Sequence, residues 1–244
     1  MELHFLGIGS AYNPALGNTN AFLLRGDDLV LVDCGESSFA LLHGWGLLSA
    51  VRGDIYVLVT HLHADHAGSL PTLCSYARQQ MNKRVHIVYP LADIRRFLRL
   101  AGIPSGQYHH LDGMREALCG LDVRAVPVAH VPGFASFGYL LDDGRETIYY
   151  SGDASVIPPQ ILSQFLKGDI GRLYQDVAWT DEGQACRHHL PFSLLCEAIA
   201  PQYRRQVTCM HMNLDYRTRA EAAGFQVARA WAPGGGLARI PSGP

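Results

Sequence analysis

The sequence has 244 residues, 48% hydrophobic and 17% charged, with mean hydropathy +0.03, an ordinary globular balance with chain enough for a large core. A net charge of −2 and a pI near 6.6 exclude the broad basic footprint of a protein that grips a long polyanion, though not a local basic groove. No apolar run approaches the roughly 20 residues of a membrane helix. The first dozen residues lack the basic and long apolar regions of a signal peptide, and the six cysteines form no C-x-x-C pair, so they read as reduced thiols of a cytoplasmic protein.

In chain order, Leu3 to Gly7 predicts a strand running into a loop with Gly9-Ser10-Ala11 and Asn13-Pro14. Asn20 to Arg25 and Leu29 to Val32 predict a hairpin turning at Gly26-Asp27-Asp28. The second strand ends in Asp33-Cys34-Gly35-Glu36. Asp33 is placed either to support a nearby site from behind its ligands or to cap a helix from Ser37 to about Leu48. Ile55 to Val59 reads as a buried strand and Ser69 to Gln80 as a helix. Val85 to Tyr89 predicts a strand, and Leu91 to Ala101 a helix whose Arg95, Arg96 and Arg99 form a solvated face. Residues 102–121 read as irregular, with His109 and His110 on the surface. Val123 to Ala129 predicts a strand delivering His130, and a hairpin about Asp142-Asp143-Gly144 ends in Ser151-Gly152-Asp153. Pro159 to Leu166 predicts a helix, Arg172 to Val177 a strand, and a polar loop then reaches His188-His189. Pro191 starts a helix to Ala200. Val207 to Met210 delivers His211, a helix spans about Arg217 to Ala223, and a last strand Phe225 to Trp231. One domain over 1–232 and a flexible Gly/Pro-rich tail over 233–244 are expected.

Of the twelve histidines, His61, His63, His66, His130 and His211 follow predicted strand ends. Thr60-His61-Leu62-His63-Ala64-Asp65-His66 joins a buried strand to a helix. His61 and His63, two apart in extended chain, leave the backbone on the same side. Imidazole nitrogen with carboxylate oxygen suits zinc, with manganese or iron as second choices. His130, Asp153 and His211, each alone at a strand end, are what such a motif needs to complete two coordination shells. Hairpin-linked strands followed by strands alternating with helices, in two successive halves, predict an α/β fold: two mixed β-sheets packed face to face with helices outside.

H-x-H-x-D-H, a lone His, a Gly-Asp and a final His resemble the metallo-β-lactamase fold, an αββα sandwich. Leu3 to Ala11, Leu31 to Glu36, Pro127-Val128-Ala129-His130 with Phe137-Gly138-Tyr139, and Gln175-Asp176-Val177-Ala178 are similar to the ribonuclease Z-like branch. The resemblance implies that His61, His63 and His130 hold one divalent ion. Asp65, His66 and His211 would hold a second, with Asp153 bridging; zinc is the default and manganese an alternative. In that branch a Glu pairs with a His ahead of the next helix. Asp176 and His189 occupy those positions, with Asp for Glu and Leu190-Pro191 for the usual Ser-Thr. The resemblance thus implies catalytic roles for Asp65, His189 and Asp176, the His serving as general acid.

Two departures bear on substrate. Ribonuclease Z enzymes grip tRNA with a long arm, commonly inserted after the third His motif, whereas only a short hairpin separates His130 from Asp153. After the last His, Asp215 stands where Arg is usual. In armlessness, motifs and length the chain is similar to anti-Pycsar-type cyclic-nucleotide phosphodiesterases. That resemblance implies hydrolysis of 3′,5′-cyclic mononucleotides and a role against cyclic-nucleotide immune signalling. It also implies a homodimer working in the cytoplasm of a bacterium, or of a host if phage-encoded, without extended nucleic acid or membrane as partner. Ser10, Tyr12, Asn18 and Asn20 are the candidate substrate contacts. A cyclic phosphodiesterase of phosphonate or sugar metabolism, and a tRNA 3′-processing nuclease, are the alternatives.

Overall fold

Leu29-Val30-Leu31-Val32 is buried along its whole length, as a strand covered on both faces must be. In the computed structural model, which describes residues 1–179 and 187–232, this run lies inside the first of two mixed sheets, one in each of two units. The proposed tail and most of the loop before His188 lie outside the described residues.

The first unit takes residues 2–7, 18–112 and the chain from 229. Its six strands lie in chain order: β1 (His4–Phe5), β2 (Ala21–Arg25), β3 (Asp28–Val32), β4 (Ile55–Leu58), β5 (Val85–Val88) and β6 (Tyr108–Leu111). β1, β2 and β3 are antiparallel, and β3 through β6 run parallel. Gly26, at φ 61°, makes the tight β2–β3 turn, so Asp28 belongs to the strand rather than the turn. The helices are α1 (Ser38–Gly44), α2 (Leu47–Ala50), α3 (Ala64–Ala67), α4 (Leu70–Gln80) and α5 (Asp93–Leu100). A single helix to Leu48 is not what forms. Gly46 adopts φ 72° and divides the segment into α1 and α2, swinging Trp45 against Trp231 at 5.0 Å between ring centroids.

Residues 102–121 are not irregular. They contain β6 and β7 (Glu116–Leu118). Tyr-His-His-Leu has no apolar alternation to reveal a strand; β5 imposes it by parallel pairing, Val85 with Tyr108 through Val88 with Leu111. His109 is exposed as expected, but His110 is half-buried and bonded through both ring nitrogens.

The second unit takes Met1, residues 8–17 and 113–228. It holds β7, β8 (Leu121–Pro127), β9 (Phe137–Asp142), β10 (Thr147–Tyr150), β11 (Arg172–Ala178), β12 (Leu190–Pro191), β13 (Val207–Met210) and β14 (Gln226–Val227), with α6 (Pro159–Lys167), α7 (Phe192–Ala198) and α8 (Arg217–Ala222). β7 to β10 form an antiparallel meander; β10, β11, β13 and β14 are parallel, and β12 pairs with the end of β11. Consequently β8, β10, β11 and β13 all run the same way, and their carboxyl ends share one edge of the sheet. That edge is where parallel strands present ligand-binding loops. No helix among the described residues is long and apolar enough to cross a membrane.

Candidate metal-binding clusters

In the first unit, parallel β3 and β4 deliver Asp33 and the Thr60–His66 corner side by side. Asp33 is fully buried and held at φ 68°, a left-handed conformation that costs a non-glycine residue energy and persists where surrounding contacts enforce it. Those contacts are explicit. Its carboxylate accepts from Thr60 N at 2.7 Å, Thr60 Oγ1 at 2.8 Å and His66 Nδ1 at 2.8 Å. Asp33 therefore braces the motif and does not cap α1. Burial pushes its carboxyl pKa up, opposed by the His66 ring and the Thr60 bonds.

The same network sets tautomers. Thr60 Oγ1, donating to Asp33, accepts from His61 Nδ1 at 2.9 Å, while His66 Nδ1–H is spent on Asp33. Each ring thus turns its Nε2 lone pair away from its anchor. His61 Nε2 comes within 2.9 Å of His63 Nδ1, and His66 Nε2 within 3.2 Å of an Asp65 oxygen. Converging imidazole lone pairs, with His61 held from behind by a hydroxyl and His66 by a carboxylate, suit a divalent metal. The residues fit the ion.

Asn18 and Asn20 are buried and serve the frame. Asn20 Oδ1 accepts from Gly35 N at 2.5 Å and from Ser38 Oγ, and its amide donates to Asp65 O at 3.0 Å. Asn18 Oδ1 takes Ser37 N at 3.0 Å and Ser37 Oγ at 2.8 Å. With Ser69 Oγ receiving Phe39 N at 3.1 Å, these groups satisfy N–H groups at the start of α1 that its own residues do not cap. Gly35 makes this packing possible, because a Cβ there would collide with the Asp65 carbonyl. Gly35→Ala is expected to cost about 1–3 kcal/mol and to reduce metal content, as read by denaturant unfolding and elemental analysis of the same preparation. Unchanged values in both would show that the motif does not depend on this approach.

In the second unit, His130 follows β8, Asp153 follows β10, Asp176 lies within β11 and His211 follows β13. His211, like Asp33, is left-handed, at φ 62°. Asp153, Asp176, His189 and His211 offer ligand atoms that all lie within 4.8 Å of one another. His211 Nε2 is 3.3 Å from one Asp153 oxygen, and His130 Nε2 is 3.7 Å from the other. His130 Nδ1–H donates to His188 O at 2.8 Å, which fixes the ring with Nε2 toward Asp153. Burial depresses the His130 pKa against the pull of Asp153, favouring the neutral ring a metal requires.

Asp176 distinguishes the two neighbouring histidines. Its buried carboxylate accepts from His189 Nδ1 at 2.7 Å and from Ala154 N at 2.9 Å. His188 instead directs Nδ1 to the His130 carbonyl, 3.3 Å away. His189 is 25% exposed at its side chain, so its far nitrogen remains accessible. Burial disfavours its charge, but Asp176, by charge and hydrogen bond, and Asp153 outweigh that and raise its pKa. Ser10 is buried, its N–H donating to Met212 O beside His211 at 3.1 Å; Tyr12 is 98% exposed. Thr60 and Ser151, whose Oγ accepts from Asp176 N at 2.9 Å, are the supports that reading the sequence missed. A hydroxyl beside a ligand motif is too common a pattern to have marked them.

The family described as Anti-Pycsar protein Apyc1 matches residues 1–98. The chain is 25% identical to the anti-Pycsar protein Apyc1 of Paenibacillus sp. (strain J14) over 240 residues, covering 92% of this chain and 94% of that one. It is 41% identical to ribonuclease Z of Shouchella clausii over 80 residues, covering 31% of this chain and 25% of that one. Among solved structures, the metallo-β-lactamase fold protein YhfI from Bacillus subtilis superposes with a TM-score of 0.72 at 17% identity, covering 94% of this chain and 98% of that one.

Proposed function

We propose that this metal-dependent hydrolase of the metallo-β-lactamase fold opens the phosphodiester ring of small 3′,5′-cyclic nucleotides, using two divalent ions. The observation that carries the reading is His189, held through Nδ1 by buried Asp176 with its other nitrogen accessible. A phosphodiester needs an acid for its leaving alkoxide, and this pair is placed to supply one. The similarity to anti-Pycsar proteins along nearly the whole chain supports the substrate class.

The ligand assignment proposed is His61, His63 and His130 for one ion and Asp65, His66 and His211 for the other, with Asp153 shared. Zinc suits these nitrogen and carboxylate donors, and manganese is second. Bound there, the ions supply Lewis acidity and lower the pKa of water to near 7. The chain's own groups do the rest. Asp65 orients the attacking water. Attack in line with a ribose oxygen breaks the ring P–O bond, and His189 Nε2–H delivers its proton to that oxygen while Asp176 holds the resulting ring orientation. The product is a linear mononucleotide.

The hairpin supports a small substrate. β9 and β10 are joined only by residues 143–146, so nothing between His130 and Asp153 extends to hold a folded RNA. Incubation with 3′,5′-cyclic mononucleotides, 2′,3′-cyclic nucleotides, a tRNA precursor, a lactone and a β-lactam is expected to give linear mononucleotides from the first and no cleaved tRNA. Efficient tRNA processing with inert cyclic nucleotides would reverse the assignment. Preferential turnover of a cyclic phosphate of sugar or phosphonate metabolism would instead move it within the phosphodiesterases. We propose further that the active form is a cytoplasmic homodimer; a fully active monomer in sedimentation would remove that part alone.

A further inference from the structure

We infer that α5 and the segment after it form a second ligand site, for a phosphorylated small molecule, outside the His and Asp clusters. α5 reads Asp-Ile-Arg-Arg-Phe-Leu-Arg-Leu. Ile94 and Leu98, one turn apart, are buried and fix the helix on its apolar side, leaving Arg95, Arg96 and Arg99 exposed. The sequence alone reads these arginines as a solvated face. The chain, however, doubles back to β6, and the three arginines with Ile103, Pro104, Ser105 and Tyr108 line a cavity of about 540 Å³. That is within the roughly 300–1,000 Å³ of small-molecule sites.

The chemistry of the wall selects the ligand. No acidic residue lines the cavity. Arg95 and Arg99 are i, i+4 neighbours whose like charges repel across one turn. Arg95 is preset: its Nε–H donates to His110 Nδ1 at 2.9 Å, and His110 Nε2–H donates to Tyr89 O at 2.7 Å. His110 is thereby locked in one neutral tautomer, and the terminal nitrogens of Arg95 are left for a ligand. Arg96 and Arg99 make no ion pair among the described residues. Guanidinium forks match phosphate oxygens bidentately, and several forks favour a multiply charged group. Ile103 and Tyr108 supply an apolar wall for the body of the molecule. In a chain of net charge −2, this concentration of positive charge about one concavity fits an anionic occupant.

The cavity is separate from the His motif within the first unit. Tyr108 opens β6 opposite Val85, at the strand starts, whereas His61 to His66 follow the end of β4. The site would therefore sense a nucleotide or other phosphate ester without occupying the place of chemistry.

Calorimetric titration of the purified, metal-loaded protein with ATP, pyrophosphate and adenosine tests this. ATP and pyrophosphate are expected to bind and adenosine to leave no signal. The double variant Arg96→Ala/Arg99→Ala should bind ATP about 10- to 100-fold more weakly. Ser105→Trp, which fills the cavity and keeps every arginine, should weaken it as well. ATP held only by the metal clusters would survive both changes, so unchanged affinity in both variants overturns the proposal. Binding of anionic lipid vesicles without affinity for free ATP or pyrophosphate would also overturn it, making the surface a membrane contact.

Discussion

Asp153→Ala is expected to lose catalysis and paired metal occupancy together. Asp153 follows β10, where its two carboxylate oxygens approach His211 Nε2 at 3.3 Å and His130 Nε2 at 3.7 Å, the two histidines assigned to different ions. A residue facing both cannot be removed without weakening both shells. The rate on a cyclic nucleotide should fall by at least the roughly 10²–10³-fold that loss of one electrostatic stabiliser costs. Elemental analysis should find well under two ions per chain. An Asp153→Ala protein that keeps two ions and full activity would eliminate the shared-ligand assignment. A single ion in active wild type would eliminate the binuclear reading itself.

His189→Ala should separate chemistry from ligation. Because Nδ1 of His189 is committed to Asp176, the variant should retain its metals and lose roughly 10²–10⁴-fold on a ribose leaving group. A nitrophenyl phosphodiester, whose leaving group needs no proton, should recover most of that loss. His189 also stands within the Asp153, Asp176 and His211 cluster, where its ring could ligate a metal. Loss of metal with equal slowing on both substrates would identify it as a ligand. His188→Ala, whose ring among the described residues bonds the His130 carbonyl and not Asp176, should leave the leaving-group dependence unchanged.

Much of this site was legible in the sequence because ligand chemistry is local. His61 and His63 share a side through the two-residue period of extended chain. His130, Asp153 and His211 could be noticed as solitary donors after apolar strands. The strands themselves were readable where burial forces an apolar run, as in Leu29 to Val32 and Ile55 to Leu58. Reading failed where partners impose structure. β6 is a strand because β5 lies beside it; the split at Gly46 is different, a local glycine signal that the expected helix to Leu48 passed over. The frame role of Asn18 and Asn20, which bond N–H groups before and at α1 and, for Asn20, the Asp65 carbonyl, was likewise not legible.

The sequence by itself determined which atoms are available as donors: the nitrogens and oxygens of one H-x-H-x-D-H corner and of three later strand ends. It also determined that only a short hairpin separates His130 from Asp153, since that is a matter of chain length. Only the tertiary structure decided which ring nitrogen is tied to a supporting oxygen, which of His188 and His189 meets Asp176, and whether Asp33 braces a ligand or caps a helix. Those outcomes depend on hydrogen bonds between groups far apart in the chain, such as Asp33 with His66 and His130 with His188. The arginines of α5 teach the same physics: their composition was plain, but the cavity they line exists only because the chain returns through Tyr108 to pair with β5.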